Sequence, residues 1–250
     1  MGLWAWDISA RFYRRTYGPL AHGLDEQLFA WLGNLDGKVV ADVGCGPGIV
    51  ARKFVARGAA RVYAIDVSAA MLAQVGDDPR IVPVEGRVED GVLERIHDER
   101  EPDGFDVVLF KRSLYLPRPA AVEALRAARR CLKPGGRVCV VHPEAKLLTY
   151  AFGRPPRLRA HTPYHLFNRG ISTLGVLAGG EDYAVYTRDE LLALARESAD
   201  GAPVEALDGG LSAAFNLVAI HGPAAGAGAR EGAGAREGAA PAEASVEVDA

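Results

Sequence analysis

The 250-residue chain is 49% hydrophobic and 24% charged, with a formal net charge of −3, which suits one sizeable globular domain and leaves little room for two. The strong basicity of a nucleic-acid binder is missing, as is the roughly 18-residue apolar run of a membrane span. The first twenty residues, MGLWAWDISARFYRRTYGPL, lack the apolar stretch of a signal peptide, so the sequence reads as a soluble cytoplasmic protein.

Residues 1–36 read as an N-terminal helical cap. From Lys38 to His142 strand and helix signals alternate. KVVADV (38–43) predicts a strand, 49–57 a helix, RVYAID (61–66) a strand and SAAMLAQV (68–75) a helix. A strand at 81–85, a weaker helix around 91–99 and the apolar strand FDVVLF (105–110) follow. A helix over 119–132 carries Val122, Leu125, Ala128 and Leu132 at helical spacing; LKPGG then ends it and launches RVCVVH (137–142). This rhythm predicts an α/β fold, doubly wound and mostly parallel, with ligands at the carboxyl ends of the strands.

Beyond His142 the pattern changes. A lid-like insertion over about 143–186 precedes a helix at TRDELLALA, where Thr187 and Glu190 form a capping box. A short strand at 203–207, a Gly209-Gly210 turn and SAAFNLVAIHG then predict an antiparallel hairpin. The domain proper spans 37–222. The last residues, 223–250, repeat GAGAREG and have too little apolar side chain to order, so they read as a disordered tail. From Ala224 onward two arginines stand against five acids, which accounts for the whole net charge. Cys45, Cys131 and Cys139 have no paired ligand spacing and read as free thiols, with neither metal nor disulfide expected.

The loop VVADVGCGPG places Gly44, Gly46 and Gly48 between a strand and a helix, where bare backbone lets a ligand approach a positively polarised helix end. Gly46 to Ala51 satisfies GxGxxA, so a dinucleotide is one reading. Asp66, at the end of the second strand, suits ribose hydroxyls in either case. Asp42 separates the readings: a carboxylate just before the first glycine repels a pyrophosphate but attracts an ammonium. A cofactor with adenosine at one end and an amino acid at the other fits both acids.

VVADVGCGPG resembles motif I of the class I S-adenosylmethionine-dependent methyltransferases, small-molecule type. The likeness continues through YAIDVSAAML, FDVVLF and LKPGGRVCVV, covering roughly residues 38–142 with weaker support to 221. The resemblance implies a seven-stranded Rossmann-like sheet in the order 3-2-1-4-5-7-6, with strand seven antiparallel. It implies S-adenosyl-L-methionine as cofactor and S-adenosyl-L-homocysteine as product, with no metal. The implied cofactor residues are Asp42, Gly44, Cys45, Gly46, Gly48, Asp66, Val67, Met71 beside adenine, and Phe110. One departure is VEGRVED, which puts Arg87 where relatives often have an acid for the adenine amine; arginine has no acceptor. Adenine then falls to the backbone near Val88, or to Glu89 in a shifted register, and a solvated loop arginine is the plain reading of Arg87.

Candidates on the acceptor side are more varied. His142, ending the fifth strand, is placed to take a proton from a nucleophile, against the plain alternative of a histidine satisfied by nearby backbone. Tyr115, in FKRSLYLPRP with Lys111, lies where relatives place substrate or cofactor contacts; packing under the next helix is its alternative. Tyr13 and Tyr17 share a face if helical. Between Glu144 and Glu181 no acid occurs, yet Lys146, Arg154, Arg157, Arg159 and Arg169 stand among Tyr150, Phe152, Tyr164 and Phe167. These predict a basic, aromatic mouth for an anionic substrate, with Arg157, Arg159 and Tyr164 as contacts, against a solvated lid.

The leading expectation is methyl transfer to O, N or C of a small molecule. A lipid methyltransferase touching anionic headgroups through the arginine-rich segment is the nearest alternative, and a non-methylating cofactor-binding protein or partner subunit the next. A nucleic-acid substrate is disfavoured: outside the tail the chain is formally neutral, and FKRSLY carries neither Asn/Asp-Pro-Pro-Tyr nor Pro-Cys. A nicotinamide oxidoreductase rests on GxGxxA alone.

Overall fold

Seven short apolar segments pair into one sheet in a computed structural model that describes residues 25–143, 184, 186–207 and 215–223. The strands are Val39–Val43 (β1), Arg61–Asp66 (β2), Ile81–Glu85 (β3), Phe105–Lys111 (β4), Leu132–Pro143 (β5), Val204–Ala206 (β6) and Phe215–His221 (β7). Their order is β3-β2-β1-β4-β5-β7-β6, as the resemblance implied. Strands β1 to β5 pair in parallel, and β7 runs antiparallel to both β5 and β6.

Helices cover both faces, which is why the central strands are apolar throughout instead of alternating with polar residues. On one face Val40, Leu109, Cys139, Val141 and Leu217 pack with Leu28, Phe29 and Leu32 of α1, whose described part spans 25–32, and with Phe54 of α2 (Ile49–Ala56). Phe29 meets Phe54 edge to face at 5.0 Å. On the other face Val43, Tyr63, Val108, Phe110 and Val140 pack against α4 (Val92–Arg100), α5 (Arg118–Arg130) and α6 (Arg188–Ser198). Among the described residues no helix is long and apolar enough to cross a membrane.

Three elements differ from expectation. The helix predicted over 68–75 is only Ala69–Leu72 (α3), capped by Ser68, whose Oγ accepts from the Met71 N–H at 3.1 Å. A 3-10 turn, Val88–Asp90, precedes α4. Strand β5 starts at Leu132 instead of 137: Phe105 lies beside Leu132, but Val107 lies beside Arg137, so Lys133 to Gly136 bulge out of the ladder. Gly136 is needed there, because a Cβ would fall 2.7 Å from the Phe105 carbonyl oxygen. Asp106 steadies this edge, accepting from the Val39 N–H at 2.9 Å, Lys38 at 2.9 Å and Lys133 at 3.2 Å.

The Thr187–Glu190 capping box forms in both directions, with the Glu190 N–H donating to Thr187 Oγ1 at 3.3 Å and the Thr187 N–H to Glu190 Oε2 at 2.8 Å. The expected Gly209-Gly210 turn, the tail, the first 24 residues and all but the end of the 143–186 insertion lie outside the described residues.

Candidate functional site

β1 sits between β2 and β4, where the chain order reverses, so the glycine loop after it opens at the crevice where ligands bind in such sheets. Gly44, Gly46 and Gly48 have φ of 70°, 54° and 69°, a region costly for other residues. The N–H groups of Gly44 and Cys45 both donate to the Ile65 carbonyl, at 2.8 and 2.9 Å, which ties the loop to the end of β2. A Cβ on Gly44 would fall 2.3 Å from Cβ of Ser113. Ser113 is brought there by Arg112, whose φ of 58° turns the chain sharply after β4, and its hydroxyl donates to the Val43 carbonyl at 2.5 Å. Arg52 of α2 clamps the far side, donating to the carbonyls of Pro47 at 2.9 Å and Val75 at 2.6 Å.

Asp66 lies at the end of β2 against this loop. Its Oδ2 accepts from the Gly46 N–H at 2.8 Å and its Oδ1 from the Ser68 N–H at 3.0 Å. The carboxylate is half-buried and fixed in orientation over the strand ends, where it can accept from hydroxyl donors.

Asp42 is 2% exposed, and its Oδ2 is buried with no hydrogen-bond partner among the described residues. Burial pushes its carboxyl up to about 7; Lys111 opposes the rise, while Asp66 and Asp25 add to it. A buried carboxylate oxygen with nothing to accept from is costly unless a donor or cation arrives from outside the fold. Behind it, Asp25 at the start of the described α1 is fully buried and holds two ammonium groups, Lys111 and, at 2.6 Å, Lys53. Burial alone would raise the Asp25 carboxyl, but Lys111 and Lys53 together bring it below the usual range. Burial lowers Lys111 to about 8, aided by Arg112 and resisted first by Asp25 and then by Asp42.

The other sequence candidates divide. Cys45 is a buried thiol whose Sγ reaches the Gly46 carbonyl at 3.3 Å, and burial raises its pKa far above the ordinary range. Val67 is half-buried beside Asp66, Met71 is the buried residue of α3, Val88 is buried in the 3-10 turn and Glu89 is exposed. Phe110 is 1% exposed as a whole residue and is committed to the core. Lys111, expected at the acceptor, has its ammonium turned inward to Asp25.

His142 is fully buried, its Nε2 accepts the Tyr186 N–H at 3.0 Å, and burial lowers its pKa to about 3. Nε2 thus has the backbone partner of the plain alternative, while Nδ1 is buried with no partner among the described residues; so buried, the imidazole is ill suited to taking a proton near neutral pH. Tyr115 and Tyr186 flank its ring, each with centroids 5.4 Å away. The Ala184 N–H donates to the Tyr115 carbonyl at 3.0 Å and the Tyr186 hydroxyl to the Leu116 carbonyl at 2.5 Å, so this cluster anchors the end of the insertion. Tyr13, Tyr17, Arg157, Arg159, Tyr164 and the expected basic mouth lie outside the described residues.

Sequence reading missed Asp25, Ser113 and Tyr186. Only Asp25 left a signal: it stands three and four residues before Leu28 and Phe29 and seven before Leu32, on the apolar face of its helix. A carboxylate at such a position calls for a buried cation.

Residues 40–136 match the model of a family described as a methyltransferase domain. Ubiquinone biosynthesis O-methyltransferase of Neisseria meningitidis serogroup A is 40% identical over 110 residues, 42% of this chain and 44% of that protein. The protein of the same name from Sodalis glossinidius is 37% identical over 144 residues, 53% of this chain and 51% of its own. The chain thus spans about half the length of the curated relatives it matches. Two solved structures show the same fold. DhpI in complex with SAH superposes with a TM-score of 0.60 at 20% identity, covering 89% of this chain and 95% of that one. An S-adenosylmethionine-dependent methyltransferase from Mesorhizobium loti gives 0.56 at 21% identity, covering 78% and 96%. The seven-stranded order and the glycine loop are thus shared with the fold of these methyltransferases, and residues 40–136 are similar to the methyltransferase-domain family.

Proposed function

We propose that the protein binds S-adenosylmethionine at the ends of β1 and β2 and transfers its methyl group to an oxygen of a small-molecule acceptor. The observation that carries this reading is the buried Oδ2 of Asp42, unpartnered among the described residues, directly before a glycine loop that Asp66 overlooks. Asp42 offers its oxygen to an ammonium, Asp66 offers carboxylate oxygens to ribose hydroxyls, and the absence of a Cβ at Gly46 leaves room for close approach. When bound, the cofactor supplies an electrophilic methyl group on a sulfonium sulfur.

For in-line displacement the chain's task is chiefly to position the two reactants and exclude water. Tyr115, 9% exposed after β4 and bonded through its carbonyl to the Ala184 N–H, is the candidate contact on the acceptor side. Oxygen as the acceptor atom is supported by the names of the curated relatives, both ubiquinone biosynthesis O-methyltransferases. The test is transfer of radiolabelled methyl from S-adenosylmethionine to a panel of phenols, carboxylic acids and amines, with anionic lipid vesicles as a further arm. Label on a soluble hydroxyl or carboxylate oxygen supports the reading. Label confined to amines or to lipid, or cofactor binding without transfer to any arm, overturns it.

A further inference from the structure

Behind the glycine loop two buried carboxylates face one buried ammonium. Asp25 is fully buried and Asp42 is 2% exposed, while Lys111, the last residue of β4, is 7% exposed. The ammonium of Lys111 is bonded to Asp25 Oδ1, and Lys53 from α2 occupies the other oxygen at 2.6 Å. Asp42 Oδ2 is left without a partner among the described residues. Both carboxylates act on Lys111, Asp25 more strongly than Asp42. In a low-dielectric interior a cation cannot fully neutralise two anions in different directions, so the one it contacts is satisfied and the other keeps its demand for a donor.

We propose that Asp25 is a positioning residue for the cofactor site: by holding the Lys111 ammonium it keeps Asp42 open to the ammonium of an amino-acid-bearing ligand. The inference rests on the Asp42 reading given under the proposed function. Asp25 touches no ligand; it acts by deciding which carboxylate Lys111 neutralises. With asparagine at 25, Asp42 becomes the remaining carboxylate acting on Lys111, and an incoming ligand must displace an internal ammonium before it can use Asp42. The same contact makes α1 part of the site, since Asp25 joins that helix to α2 and β4 at one point.

The test compares S-adenosylhomocysteine with 5′-methylthioadenosine, which keeps the adenosine but lacks the amino-acid end. Both are titrated by calorimetry into the full-length wild type, Asp25→Asn, Lys111→Met and the double variant. Asp25→Asn should weaken S-adenosylhomocysteine at least about tenfold, the size of a lost charge-assisted contact, and leave methylthioadenosine within about twofold. The double variant should regain most of the loss, because no internal cation remains to occupy Asp42. Lys111→Met should by itself keep the preference for S-adenosylhomocysteine, and it carries the test should Asp25→Asn fail to fold.

Equal weakening of both ligands by Asp25→Asn, no weakening of either, a double variant no better than Asp25→Asn, or loss of the preference in Lys111→Met would each overturn the inference. The wild-type titrations test the underlying reading separately. A wild type that fails to prefer S-adenosylhomocysteine overturns the role of Asp42 and takes this inference with it. A wild type that shows the preference leaves the variants to judge Asp25 alone.

Discussion

Replacing His142 with glutamine should make the protein less sensitive to acid, even though the substitution removes a residue buried at the heart of the fold. The imidazole is fully buried, accepts the Tyr186 N–H and has its pKa lowered from 6.5 to about 3. The unfolded chain therefore binds a proton at this site between those values and the folded chain does not, so stability falls as pH drops below 6.5 and is unaffected above it. At pH 5 the gap is about 1.5 pH units below the unfolded value, worth about 2 kcal/mol against the fold. Glutamine can present a carbonyl to the Tyr186 N–H and does not titrate. Urea unfolding at pH 7.5 and pH 5.0 supplies four free energies, and the quantity of interest is the difference between the two proteins in their loss on acidification. Asp42, raised to about 7, acts with the opposite sign, since its folded form holds a proton the unfolded form has lost; that effect is common to both proteins and cancels. Wild type should lose about 2 kcal/mol more than His142→Gln. An equal loss in both would show that His142 is accessible to protons in the folded state, and its reading as a buried, neutral anchor would fail.

Two further outcomes follow from the loop. If Asp42 holds a proton with a pKa of about 7 in the ligand-free protein and ionises against an ammonium, affinity for S-adenosylhomocysteine should level off above pH 7.5 and fall about tenfold per unit well below 7. Calorimetry in two buffers of different ionisation enthalpy should register proton release near pH 6.5, and Asp42→Asn should abolish it; pH-independent binding by the wild type would contradict the assignment. Gly44→Ala places a Cβ 2.3 Å from that of Ser113 at a φ of 70°. Steric displacement added to left-handed strain should cost more than about 2 kcal/mol and disturb the Ser113 bond to Val43. A Gly44→Ala protein with unchanged melting temperature and ligand affinity would mean that the loop is not held against Ser113 in solution.

How much of this was legible in the sequence depended on whether the signal was local. Alternating short apolar runs and helices announced a parallel sheet, and the family pattern in VVADVGCGPG and YAIDVSAAML supplied the strand order that the register pairs bear out. The capping box at Thr187 was legible because all its atoms lie within one turn of chain. What failed was decided by partners distant in sequence. His142 looks like a base at a strand end, but its role is set by Tyr186, 44 residues away. Lys111 looks like a substrate contact, but Asp25, 86 residues before it, draws its ammonium inward. The early start of β5 at Leu132 depended on a bulge that lets Lys133-Pro134-Gly135-Gly136 leave the ladder, where proline and two glycines read locally as a simple break.

The central claim is that the loop after β1 and Asp66 at the end of β2 together bind S-adenosylmethionine. Titration of the purified protein with S-adenosylhomocysteine, beside NADH and an Asp66→Ala variant, tests it most directly. The account predicts saturable one-to-one binding of S-adenosylhomocysteine, no binding of NADH, and loss of at least about tenfold in affinity in the variant, as removal of a carboxylate accepting from ribose hydroxyls requires. Binding of NADH in preference to S-adenosylhomocysteine, or affinity for S-adenosylhomocysteine unchanged by Asp66→Ala, would contradict it.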